Sequence, residues 1–123
     1  MDADLENETW VVERGGEVIE KMADATRQPL TDVERLIYCL WVADYAMRNA
    51  GDLEAAEEQY PEFQAEGVSL SRSLGLAKTS GLFSLAKLEF EDGYFELLTD
   101  VCQEIQKVDA LSPNTSLERT REK

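Results

Sequence analysis

At 123 residues, 43% of them apolar, the chain is long enough to bury the core of one domain and has the composition of a globular protein. Its 26 acidic residues face 12 basic ones, a formal charge of −14. Such a balance attracts basic partners and argues against direct contact with nucleic-acid phosphates or anionic membranes. The absence of histidine excludes imidazole acid–base pairs, Ser-His-Asp and Cys-His nucleophiles and His-ligated metals.

Met1–Asn7 is acidic, unlike the basic-then-apolar opening of a signal peptide. No apolar run approaches the roughly 18 residues that span a membrane. The reading is cytoplasmic. Met1–Glu8 is expected to fray. Thr9–Glu20 admits two readings. Trp10, Val11 and Val12, then Gly15-Gly16, then Val18 and Ile19 suit a hairpin with a Gly-Gly turn. Alternatively a loop leads into a helix from about Gly16 to Thr26. The second half favours the helix, because Glu17 and Lys21 make a favourable i,i+4 pair. Gln28-Pro29 is expected to end it.

Residues 31–51 carry the strongest pattern. Thr31 and Glu34 have capping-box spacing, with Leu30 placed as a hydrophobic staple. Leu36, Ile37, Leu40, Trp41 and Tyr45 follow at helical steps, flanked by Cys39 and Ala43, and Gly51 suits a left-handed stop. Trp41 and Tyr45 read either as core or as a ligand platform. Asp52 is placed to cap a helix over Leu53–Tyr60, and Pro61 restarts or kinks it. Phe63, Gly67, Leu70 and Leu74 continue to a stop at Gly75. Thr79 or Ser80 is expected to cap a short helix, Gly81–Leu88, burying Leu82, Phe83, Leu85 and Ala86. Tyr94, Leu97, Leu98, Val101, Cys102, Ile105 and Val108 predict a long helix over about Asp92–Asp109. Cys39 and Cys102 both fall on apolar faces and read as buried free thiols. Residues 111–123 read as a disordered tail to a single domain, 1–110. The expected fold is all-α, a compact bundle of about five helices.

No cofactor is implied. The chain has no GxGxxG, Walker A, CxxC or EF-hand pattern. Glu54-x-x-Glu57 with Glu58 offers carboxylates at di-metal spacing but no imidazole. What stands out is where the acids fall. Glu54, Glu58, Glu62 and Glu66 recur every fourth residue, as do Asp92, Glu96, Asp100 and Glu104. On a helix each set is a ribbon of negative charge with steps of about 6 Å. Like charges at i,i+4 repel by a few tenths of a kcal/mol, and no lysine or arginine lies within either block to relieve this. Pro61 interrupts the first ribbon.

Leu30-Thr31, Glu34-Arg35 and Trp41, followed by Asn49-Ala50-Gly51-Asp52, give the chain a resemblance to a bacterial family of small acidic helical domains of mostly unknown function. That family includes a DNA-mimic antirepressor. Its pattern is a capped L-[ST]-x-x-[EQ]-R segment, a tryptophan, and then N-G-G-F, matched here at Asn49 and Gly51. Leu74-Gly75-Leu76 takes the place of a later turn. The resemblance implies an all-α fold and a role as a DNA mimic toward a basic protein.

The leading expectation is therefore a non-enzymatic acidic interaction protein. Its two ribbons would occupy the nucleic-acid-binding surface of a basic partner. An immunity-type inhibitor of a basic toxin or nuclease shares these electrostatics. A ligand binder or enzyme with a pocket of Trp41, Tyr45 and Asp44 is the third reading. A second copy of the chain stays open as a partner.

Overall fold

The computed structural model describes residues 3–24 and 29–111. Among them are six helices and no strand: α1 (Ala3–Ala23), α2 (Asp32–Ala50), α3 (Glu54–Gln59), α4 (Phe63–Ser73), α5 (Ala77–Phe83) and α6 (Lys87–Leu111). The fold is all-α, as the periodicity predicts, with one helix more than expected. The proposed tail falls, apart from Leu111, outside the described residues.

Helix α2 forms where its end signals place it. Thr31 Oγ1 accepts from the Glu34 N–H at 3.2 Å, and Glu34 Oε1 accepts from the Thr31 N–H at 2.9 Å. At the other end Gly51, at φ +76°, turns the chain in the left-handed region and donates its N–H to the Met47 carbonyl. A side chain there would strain the backbone. Helix α2 packs against α1, α3, α4 and α6. It is therefore buried on more than the one face that its strongest period marks. Cys39, Val42, Ala46 and Met47 join Leu36, Ile37 and Leu40 in the core, while Tyr45 stays 49% exposed.

Helix α1 overturns the hairpin and the loop read into residues 9–20, while the second half is helical as expected, in a helix that starts well before Gly16. It runs unbroken through Gly15-Gly16, and it is already helical where fraying was expected. It ends at Ala23; Gln28, expected to end it, lies outside the described residues. Gly15 fits because α1 crosses α2 there, and a Cβ at Gly15 would drive into the Trp41 ring. Glu17 and Lys21 do not pair with each other as expected. Arg14 donates to Glu17 at 3.1 Å, and Lys21 donates to Glu34 at 2.7 Å.

Polar ties set the directions of the long helices. Asn7 donates to Thr99 Oγ1 at 3.0 Å, and Arg14 grips Asp109 through Nε and Nη2 at 2.8 and 3.0 Å, so α1 and α6 run parallel. Asp4 accepts from Arg48, so α1 and α2 run antiparallel. The shorter helices cover the remaining side. Phe63, Phe83, Phe90 and Tyr94 stack or pack edge-on, with neighbouring centroids 5.7–6.5 Å apart. Such pairs stabilise beyond the area they bury.

Three further expectations need correction. Helix α5 starts at Ala77 rather than Gly81, with Leu76 at its cap position, so neither Thr79 nor Ser80 caps it. Of its predicted buried side, Leu82 and Phe83 are buried but Ala86 is exposed. Helix α6 begins at Lys87, a turn earlier than predicted, and leaves Leu97 37% exposed. Asp52 acts close to the expected position, accepting from the Glu54 N–H at 3.1 Å.

Candidate functional site

The acids were the clearest feature of the sequence, and the fold sorts them. On α6, Asp92 and Glu96 are exposed. Asp100 is also exposed and accepts from Lys78 Nζ at 3.3 Å. Glu104 is spent inside the fold. Its carboxylate accepts from the backbone N–H groups of Lys78 and Thr79 at 2.9 and 2.8 Å and from Thr79 Oγ1 at 2.9 Å. It caps α5, whose own cap residue, Leu76, has no acceptor side chain. The second ribbon is thus three residues long at the surface.

The first ribbon is not continuous. Glu54 and Glu58 lie on α3, Glu62 precedes α4, and the chain breaks between them at Tyr60 and Pro61. Glu66, on α4, turns inward. It accepts hydrogen bonds from Tyr60 Oη and Arg35 Nη2, and from Cys39 Sγ at 3.6 Å. Burial raises the Glu66 carboxyl, but the bonds from Tyr60 and Arg35 outweigh it and hold the group below the usual range.

Parts of the two acidic blocks do meet. Glu91 Oε2 accepts from the Leu53 N–H at 2.9 Å, and Lys87 Nζ donates to Glu57 at 3.1 Å. The hydrogen bond to Glu57, with the charges of Glu57, Glu91 and Glu54, raises the Lys87 ammonium above its ordinary value. The start of α3 and the start of α6 thus form one acidic edge around a single lysine.

Helix α1 adds a stripe that the hairpin and loop readings conceal. Glu6, Glu13, Glu17 and Glu20 are all exposed and stand seven, four and three residues apart. That spacing was the available signal.

Three of the eight described basic residues go the other way, whereas Arg35, Arg72, Lys78, Lys87 and Lys107 are exposed. The side chains of Arg14, Lys21 and Arg48 are only 17%, 13% and 17% exposed. Each is held against buried carboxylates: Arg14 on Asp109, Lys21 on Glu34, Arg48 on Asp44. Arg48 also reaches Asp4 at 3.1 Å and lies over the Phe95 ring, 5.2 Å from its centroid. Arg27, Arg119, Arg121 and Lys123 lie outside the described residues.

The Trp41, Tyr45 and Asp44 trio is divided. Asp44 is buried toward α6, where Tyr94 Oη donates to it at 2.6 Å and Arg48 Nε at 2.9 Å. Burial raises its carboxyl against the lowering effect of both donors. Trp41 faces the other way, over Gly15 of α1. It stands in a row of rings, 6.3 Å and 10° from Tyr38 and 5.6 Å and 17° from Tyr45. Tyr38 and Trp41 are half-buried on the core, whereas Tyr45 is exposed. Tyr60 extends the row, 5.4 Å from Tyr38. Beside that end lies a cavity of about 400 Å³ lined by Met22, Leu30, Tyr38 and Tyr60, with Arg35 and Glu66.

Among the described residues no group of three or more His, Cys, Asp and Glu is placed to hold a metal ion. No helix there is long and apolar enough to cross a membrane. No protein-family model, curated protein or solved structure matches the chain.

Proposed function

We propose that this protein is a non-enzymatic acidic interaction domain that binds a basic protein, covering the surface with which that partner binds nucleic acid. One observation carries the reading: among the described residues fourteen acidic side chains are exposed against five basic ones, because three of the cations are drawn inward. Arg14, Lys21 and Arg48 are consumed in internal pairs, while Glu6, Glu13, Glu20, Glu54, Glu58, Glu62, Asp92 and Glu96 are exposed. Carboxylates four residues apart on a helix are about 6 Å apart. That is within the Debye length of about 8 Å at physiological salt, so their fields add over a partner's surface. The cost of such self-repulsion finds its reason in a cationic surface that relieves it.

The test uses the full chain immobilised on a support. Native lysate is applied at low salt and eluted with a salt gradient, and the retained proteins are then challenged with duplex DNA. The expected result is a basic protein that elutes at moderate salt and is displaced by DNA. Retention that neither salt nor DNA reduces would overturn the proposal. The identity of the partner separates a transcription regulator from a toxin or nuclease.

A further inference from the structure

Helix α1 carries a line of apolar side chains that the fold leaves outside. Leu5 is 57% and Val12 53% exposed, and Ile19 is half-buried. Seven-residue steps are two helical turns, so the three lie along one side of the helix, at the repeat with which helices pack side by side. Gly15 beneath Trp41 and Asp4 on Arg48 set the register with α2. Tyr45 then falls opposite the α1 turn between Glu8 and Val12. The apolar line of α1 and the ring row of α2 are two walls of one seam.

Gly16 stands in that line, four residues after Val12 and three before Ile19. A Cβ at Gly15 would strike Trp41, but a Cβ at Gly16 would meet nothing within 4 Å. Glycine inside a helix weakens it, and no contact within the described fold requires it at Gly16. The open space over Gly16 leaves room for a docked chain to approach the helix backbone closely.

We infer that this seam is the docking site for an arginine-bearing amphipathic helix of a basic partner. The inference rests on the proposal above that the partner is basic. Charge selects the occupant. Glu13 and Glu20 are exposed beside Val12 and Ile19, so a second copy of this chain would bring like charges together along the seam. A cationic helix sets its apolar side into the seam and pairs its guanidinium groups with these carboxylates. A guanidinium also stacks on the exposed ring of Tyr45, which an ammonium does less well.

The probe is a synthetic helix of about five turns, leucine on one side and arginine on the other. It is titrated into the full chain by calorimetry at physiological salt, beside a scrambled peptide of the same composition and a version with lysine for arginine. The amphipathic arginine helix is expected to bind most tightly. Tyr45→Ser, Val12→Ser and Gly16→Gln are each expected to weaken it by about tenfold or more, with helicity retained because all three positions are at the surface. Asp92→Lys with Glu96→Lys, on α6, is expected to weaken both arginine peptides alike and by less. Equal binding of ordered and scrambled peptides, unchanged by the seam variants, would overturn the seam and leave the acidic-surface proposal standing. No binding of any arginine peptide, even at low salt, would overturn both. A lysine helix that binds as tightly as the arginine one would overturn the guanidinium stacking.

Discussion

The hydroxyl of Tyr94 on α6 donates to Asp44 on α2 at 2.6 Å, and both side chains are buried in the core. Arg48 Nε holds the other carboxylate oxygen at 2.9 Å. Tyr94→Phe removes the donor while leaving the ring volume in place. An unmet buried acceptor costs about 1–3 kcal/mol, so the urea midpoint is expected to fall at unchanged slope. The loss should also depend on pH. Burial holds the Asp44 carboxyl above its ordinary 3.8. For a raised carboxyl, stability is fullest below the unfolded pKa and declines as pH rises through the folded one. Without the Tyr94 bond the folded pKa rises further, so Tyr94→Phe should cost more at neutral pH than in acid.

Glu34 and Glu66 run the opposite way. At Glu34 burial raises the carboxyl, but the bond from Lys21, the Thr31 N–H and the charges of Lys21 and Arg14 lower it further. Both groups end below their ordinary 4.5. Their contribution is present above the unfolded pKa and is lost as pH falls through the folded values. Melting followed between about pH 3 and 6 should show a steep acid limb. Glu34→Gln should flatten it, since glutamine keeps the capping geometry but does not titrate. An unchanged limb would mean that other carboxylates control acid unfolding.

Helix α2 was legible because its signals are local: Thr31, Glu34 and Gly51 each act within one turn. The path of α1 was not. Gly15-Gly16 reads as a turn until it is known that Trp41, 26 residues away in sequence, needs the space over Gly15. The acidic ribbons were legible as periodicity but not as surface. Glu66 and Glu104 fall on the same four-residue step as their neighbours, and only the tertiary fold brings Tyr60, Arg35 and the α5 N-terminus to them. Position on a helix says which way an acid leaves the backbone, not what waits there. For the same reason the trio of Trp41, Asp44 and Tyr45 was only half legible. Consecutive helical positions diverge by about 100°, so Asp44 could not share the side of Tyr45.

The two adjacent glycines of α1 should respond oppositely to the same substitution. Gly15→Ala places a methyl group against the Trp41 ring and is expected to destabilise by about 1–3 kcal/mol through overpacking. Gly16→Ala meets open space and is expected to stabilise the helix by about 0.5–1 kcal/mol. Chemical denaturation of both variants beside the parent checks the pair. Equal effects would mean that the crossing of α1 and α2 is looser than the Trp41 contact implies.

The two thiols report how the core opens. Cys39 and Cys102 are free and fully buried. Burial, with the nearby Asp44 carboxylate, pushes Cys102 up to about 12, and burial with Glu66 raises Cys39 strongly as well. The thiolate is the reactive form, so neither should react with a thiol reagent at neutral pH while folded, and both should react in urea. Cys39 lies against Glu66 at the α2–α4 contact, and Cys102 lies on the α6 side of the core. If the bundle unfolds as one unit, both are labelled at a single rate that tracks global stability. Mass spectrometry of partly labelled protein should then show unlabelled and doubly labelled chains, with few singly labelled ones. A population labelled at Cys39 alone would show instead that α4 opens from α2 while the α2–α6 core holds, and it would locate the weak joint of the fold at Glu66.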